Sequence, residues 1–174
     1  MTSTKKEFGN ETNVLFSEND DKSEENAIEE AITARLMDSA ISVRESCVEL
    51  IGKFINKYGN FKGTFYDALI KRLKDKGPSV RKRVIKILKD IALKDPSHER
   101  MTLILSELLK RIADDTEGIK DVVIRTFHHI WFSGDKSPLD TITKMLHVVS
   151  QDEYFVQVFQ EILKSYPNER KGLV

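Results

Sequence analysis

The chain has 174 residues, of which 40% are hydrophobic and 32% charged, with 28 basic and 28 acidic side chains. That is enough for one domain with a real core, and no apolar run approaches the roughly 20 residues that span a bilayer. The N-terminal MTSTKKEF lacks the apolar core of a signal peptide, and the single cysteine excludes an internal disulfide and fits a reducing compartment. The expectation is a soluble, non-secreted protein without a membrane partner.

The zero net charge conceals segregation. Residues 1–30 carry three basic and nine acidic side chains, residues 31–94 fifteen and six, and residues 95–174 ten and thirteen. The middle is basic and both ends are acidic. In chain order, residues 1–25 are polar, acidic and without period, a composition that predicts a disordered tail. Its patch Val14-Leu15-Phe16 reads as a weak docking motif, and Ser17 and Ser23, each followed by acidic residues, as weak phosphorylation candidates. A flexible acidic tail would compete for the basic middle at high effective concentration.

From Asn26, placed to cap a helix, to residue 166 the apolar residues recur at spacings of three and four. Ile28, Ile32 and Leu36 form one stripe, and Val43, Cys47, Leu50, Ile51 and Phe54 the next. Phe65, Leu69, Ile70 and Leu73 precede Gly77-Pro78, with proline suited to a helix start. Val80, Val84, Ile87, Leu88 and Ile91 follow it. A third pair carries Leu105, Leu108, Leu109 and Ile112, then Val122, Val123, Phe127 and Ile130. A fourth, less regular pair carries Leu139, Ile142, Met145, Leu146 and Val149, then Phe155, Val158, Phe159, Ile162 and Leu163. Residues 167–174 read as a flexible C-terminus.

Between the stripes one phrase occurs three times: RLMDSAISVR from Arg35, RLKDKGPSVR from Arg72 and RIADDTEGIK from Arg111, with starts 37 and then 39 residues apart. A nearly fixed period of this length marks a stacked helical repeat, and a turn aspartate followed by a helix-opening basic residue is the HEAT pattern. The fold expectation is therefore all-α: a HEAT-repeat α-solenoid of about four antiparallel helix pairs. Asp38, Asp75, Arg44 and Arg81 are expected to hydrogen-bond between neighbouring repeats, because buried charges persist mainly when paired. The same register aligns Cys47 with Val84 and Val123, and Trp131 with Ala92 and Ile55, as core positions.

The sequence holds no glycine-rich phosphate loop, no paired zinc-ligand spacing and no nucleophile elbow. His128 and His129 are adjacent, and helical neighbours point about 100° apart and do not face one ion together. The chain is expected to be no enzyme and to carry neither metal nor cofactor. The functional signal is SVRKRVIKILKDIALK, where Lys82, Lys86 and Lys89 share a helix face, flanked by Arg83 and by Lys74 and Lys76 in the turn. Their register counterparts are Glu45, Glu49 and Gly52 in the first repeat and Asp121, Arg125 and His128 in the third, so the fold does not require lysine there. Such a stripe suits nucleic-acid phosphates; the plain alternative is a solvated helix face. The KR and RKR clusters also look like a split nuclear-localisation signal.

The phrases RLMDSAISVRESCVELIGKFI, YDALIKRLKDKGPSVRKRVIKILKDI and IADDTEGIKDVVIRTFHHIWF resemble, in order and spacing, one stretch of the HEAT solenoid of the Nipped-B (adherin) family of cohesin loaders. The resemblance runs from about Ala34 to Phe132 and more weakly to about Ser165. It implies a nuclear, chromatin-associated protein that binds DNA without base specificity, contacts cohesin subunits and other parts of the loader, and supports cohesin loading and sister-chromatid cohesion. Family members are much larger, with many more repeats. The alternative function is a protein-protein scaffold whose basic stripe meets an acidic partner.

Overall fold

A computed structural model describes residues 18–58, 63–97, 99–132, 143, 145–148, 150 and 153–165. Helix α1 spans Glu18–Arg35, α2 Ile41–Tyr58, α3 Gly63–Arg72 and α4 Pro78–Lys94. Helix α5, Met101–Leu109, ends in a 3₁₀ turn over Lys110–Ala113, and α6 is Glu117–Phe132. Helix α7 is seen at residues 145–148, and α8 is Glu153–Ser165. No strand occurs among the described residues, and the expected all-α helical-repeat solenoid is what the chain forms.

The recurring aspartate explains why each pair turns at the same place. The Asp38 carboxylate accepts the Ala40 amide at 2.9 Å, Asp75 that of Gly77 at 2.8 Å, and Asp114 that of Thr116 at 3.1 Å. A short acidic side chain that satisfies the backbone two residues on is a local turn-former. Pro78 then opens α4, where its missing N–H costs nothing.

Helices α2, α4 and α6 form the inner layer, with α4 packed on both of its neighbours. Val80, Val84, Ile85 and Leu88 are fully buried there, in one core with Phe65 and Leu69 of α3 and with Leu73 just beyond its end. Val123, Phe127, Ile130 and Trp131 continue the core into α6, and Phe155, Val158 and Ile162 of α8 close it. Trp131 is a core residue, with its ring centroid 4.5 Å from Phe127 and 5.6 Å from Phe159. Helices α2 and α4 approach closely at Gly52, where a Cβ would stand 2.7 Å from Ile87 Cδ1.

Several sequence expectations are corrected. Helix α1 starts at Glu18, so Asn26 lies inside it rather than at its start, and residues 18–25 belong to the helix. Ile28, Leu50 and Leu146 are exposed, and Cys47 is only half-buried against the core. Of the expected α2 stripe Ile51 is buried and Phe54 packs against the core, and Val48 and Ile55, not expected there, are buried with them because α2 meets a repeat partner on its α4 side. The patch Val14-Leu15-Phe16, Ser17, Leu139, Ile142, Val149 and residues 167–174 lie outside the described residues.

Candidate functional site

The repeated phrase builds a ladder of buried ion pairs. Arg44 donates from Nε to Asp75 Oδ2 and from Nη2 to Asp75 Oδ1, both at 2.8 Å, and its Nη1 donates to the Asp38 and Ser39 carbonyls. One repeat on, Arg81 Nη2 donates to Asp114 Oδ1 at 2.8 Å and to Thr116 Oγ1, and its Nη1 donates to the Asp75 carbonyl at 2.7 Å. Lys120, the third member of the register, pairs with Glu161 of α8 at 2.7 Å. Burial works against the charge on Asp75, but the Arg44 hydrogen bonds, the Gly77 amide and nearby Arg72 hold its carboxyl below the usual range. Asp114 is held low in the same way, with the Thr116 amide and Arg81 overcoming burial. Arg44, Asp75 and Arg81 bond between neighbouring repeats as expected and are structural; Asp38 does not, since among the described residues its carboxylate serves only the Ala40 amide and Arg35 of its own repeat.

Apart from Arg81, the basic residues of α4 face outward to differing degrees. Lys82 and Lys86 are exposed, and Arg83 and Lys89 are half-exposed. Lys82 reaches across to the start of α6, where a Cβ on Gly118 would stand 3.0 Å from its Nζ. Lys74 and Lys76 are exposed in the α3–α4 turn. The face is not uniformly free: Arg83 pairs with Glu49 of α2, and Lys89 Nζ lies 3.8 Å from Asp90. Glu49 also binds Lys53 at 3.2 Å, and the Lys53 hydrogen bond with the charges of Lys53, Arg83 and Lys86 holds its carboxyl below the usual value. Glu49 was legible only as the counterpart of Lys86. That it bridges to Arg83 follows from α2 and α4 lying side by side, which register alone does not encode.

Among the described residues no group of His, Cys, Asp and Glu is placed to hold a metal ion, and no helix is long and apolar enough to cross a membrane. A cleft of about 540 Å³ between α1 and α3 is lined by Glu29, Glu30, Thr33, Asp67, Lys71 and Arg72, a mixture of signs.

Comparison with known proteins places the chain. The family described as sister chromatid cohesion protein PDS5 matches residues 30–170. Nipped-B-like protein A of Danio rerio is 40% identical over 162 residues, which is 84% of this chain and 7% of that protein. The Nipped-B protein of Drosophila melanogaster is 41% identical over 102 residues, 59% of this chain and 5% of its own length. Sister chromatid cohesion protein mis4 of Schizosaccharomyces pombe is 28% identical over 109 residues, 63% of this chain and 7% of that protein. The chain thus spans well under a tenth of the length of these relatives. With its HEAT ladder, the matched family and the Nipped-B relatives in agreement, the chain belongs to the Nipped-B/PDS5 family of sister chromatid cohesion proteins, of which it represents a HEAT-repeat segment.

Proposed function

We propose that the chain is a nuclear, chromatin-associated, non-enzymatic HEAT-repeat element that binds the DNA backbone through α4 and contacts cohesin subunits and other parts of the cohesin loader. The observation that carries the DNA reading is the exposure of Lys82 and Lys86, which make no ion pair among the described residues, at positions where neighbouring repeats carry Glu45, Glu49, Asp121 and Arg125. The names of the relatives support the role in cohesion. Lysines on a helix face offer point charges and no bidentate geometry for bases, so binding is to phosphate and independent of sequence.

A salt titration on duplex DNA tests this. Replacing Lys82, Lys86 and Lys89 together with Ala should flatten the slope of log affinity against log salt by roughly 2–3, at about 0.9 per lost phosphate contact. Glu49→Ala releases Arg83 and should tighten binding. The Arg83–Glu49 pair favours a second reading, a mosaic surface that meets an acidic protein without nucleic acid. A triple variant that keeps the wild-type salt slope and loses a cohesin-subunit contact would establish that second reading instead.

A further inference from the structure

The first helices of the first two repeats carry different side chains at the same register. On α3, Tyr66 is only 3% exposed and lies close enough to Asp95 and Arg100, just ahead of α5, to feel both charges. Ile70, one turn further along, packs against the core. Their register counterparts on α1 are Glu29 and Thr33, a half-buried carboxylate and an exposed hydroxyl. Where the second repeat supplies bulky side chains the first supplies polar ones, and a cleft of about 540 Å³ stands open between α1 and α3. Both walls of this cleft belong to the chain, so it lies inside the stack, and a repeat stacked ahead of α1 would meet the other flank of that helix.

Leu36, Met37 and Ala68 give the cleft an apolar lining, and Met37 is 66% exposed. Two of the α3 charges beside it are already engaged. Asp67 pairs with Arg100, and Arg72 donates to the Leu36 carbonyl, to Asp75 and to Met37 Sδ. Glu29 and Glu30 make no ion pair among the described residues. Helix α1 continues ahead of them through residues 18–25, which hold five acidic residues and one lysine. One end of the cleft is therefore acidic, while Lys71, a turn beyond Asp67, marks the other.

We propose that this cleft binds a basic segment of a partner protein, with one bulky aromatic or aliphatic side chain seated over Leu36 and Ala68 and with lysine or arginine residues set against Glu29, Glu30 and the preceding part of α1. The bulky side chain supplies what Tyr66 supplies one repeat on. Exposed charge pairs contribute little each, so the apolar anchor carries the affinity and the charges fix the direction, with basic residues toward Glu29 and away from Lys71. The chain's own patch Val14-Leu15-Phe16 is the wrong occupant. Phe16 stands two residues ahead of α1, whose rise of about 1.5 Å per residue puts Thr33 roughly 20 Å further on, beyond the span of two residues. The cleft lies between first helices and stands apart from the lysines of α4.

Fluorescence anisotropy of the full chain with two labelled peptides of equal charge, KRYKK and KRAKK, tests this. KRYKK should bind at least about tenfold more tightly, because only its ring fills the cleft. Glu29→Tyr and Thr33→Ile, which install bulky side chains at the register of Tyr66 and Ile70, should each abolish that difference, with circular dichroism reporting which variant is folded. Glu30→Lys should weaken both peptides, and Lys82→Ala with Lys86→Ala should leave both unchanged. Equal binding of the two peptides, or no binding, overturns the proposal, and so does a preference for KRYKK that survives in a folded Glu29→Tyr or Thr33→Ile chain. Tighter KRYKK binding after deletion of residues 1–17 overturns it by making that segment the occupant. Self-association in sedimentation that KRYKK reverses overturns it by making a second copy the occupant.

Discussion

Asp75 carries three obligations at once. Its carboxylate ends the turn by accepting the Gly77 amide, binds Arg44 in a fork and takes Arg72 at 3.2 Å, with its side chain 1% exposed. Asparagine keeps the turn bond but leaves a buried guanidinium without its counter-charge, so Asp75→Asn should cost about 3–5 kcal/mol in urea unfolding. Asp38→Asn, at the exposed counterpart, should stay within about 1 kcal/mol. The pH dependence has a definite sign. A carboxyl held low in the folded state stabilises fully above its unfolded value near ~4, and that stability is lost as pH falls through the depressed folded value. Stability should therefore hold from neutral pH down to about pH 4 and decline below it, with a shallower decline in Asp75→Asn, read from urea midpoints along a pH series.

At the scale of the helix, α2 and α4 approach closely because Gly52 has no side chain. A methyl group there would stand 2.7 and 2.8 Å from Ile87 Cδ1 and Cγ1, and Ile87 is buried and β-branched, with little freedom to move aside. Gly52→Ala gains up to about 1 kcal/mol of helix propensity, yet overpacking costs typically about 1–3 kcal/mol, so net destabilisation is expected. Ile87→Val removes the nearest atom, and in the Gly52→Ala background it should recover part of the loss, giving a measurable coupling in a double-mutant cycle. Cys47 belongs to the same helix but to its open flank. Burial pushes its thiol up, and its half-exposure predicts labelling slower than a free thiol but not blocked, while Cys47→Ala should cost no more than about 1 kcal/mol because little packing is lost.

Across the whole molecule, stability in a stack is shared between each repeat and its neighbours, so the position of a lesion matters as much as its chemistry. Val84→Asp places an unpaired charge at a site with no exposure, between repeats on both sides, and should cost about 4 kcal/mol or more and unfold the array. Leu50→Asp, one repeat earlier on a face that is 42% exposed, should leave the circular-dichroism melt within a few degrees of wild type. The charge distribution also changes meaning at this scale. Glu18, Asp20, Asp21, Glu24 and Glu25 are part of α1, and residues 1–17 contain two lysines and two glutamates, so the acidic block expected to compete for α4 from a free tail is fixed in the first helix. Removing residues 1–17 should leave DNA affinity unchanged at low salt.

The sequence by itself determined the helices, their pairing and the arginine-to-aspartate ladder, because apolar period and turn chemistry are local properties that repeat with the phrase. Asp75 and Arg81 could be assigned their partners from register alone, since a stacked array puts each repeat in the same relation to the next. Only the tertiary structure decided which flank of each helix is covered. Register treats Cys47 and Val84, or Leu50 and Ile87, as equivalent, but packing does not: α4 lies between two neighbours and buries both flanks, whereas α2 has one such neighbour among the described residues. The same adjacency took Arg83 out of the free basic face and gave it to Glu49, leaving Lys82 and Lys86 as its outward charges. A periodic sequence encodes which face a residue occupies; what stands opposite that face is set by the order in which the repeats stack.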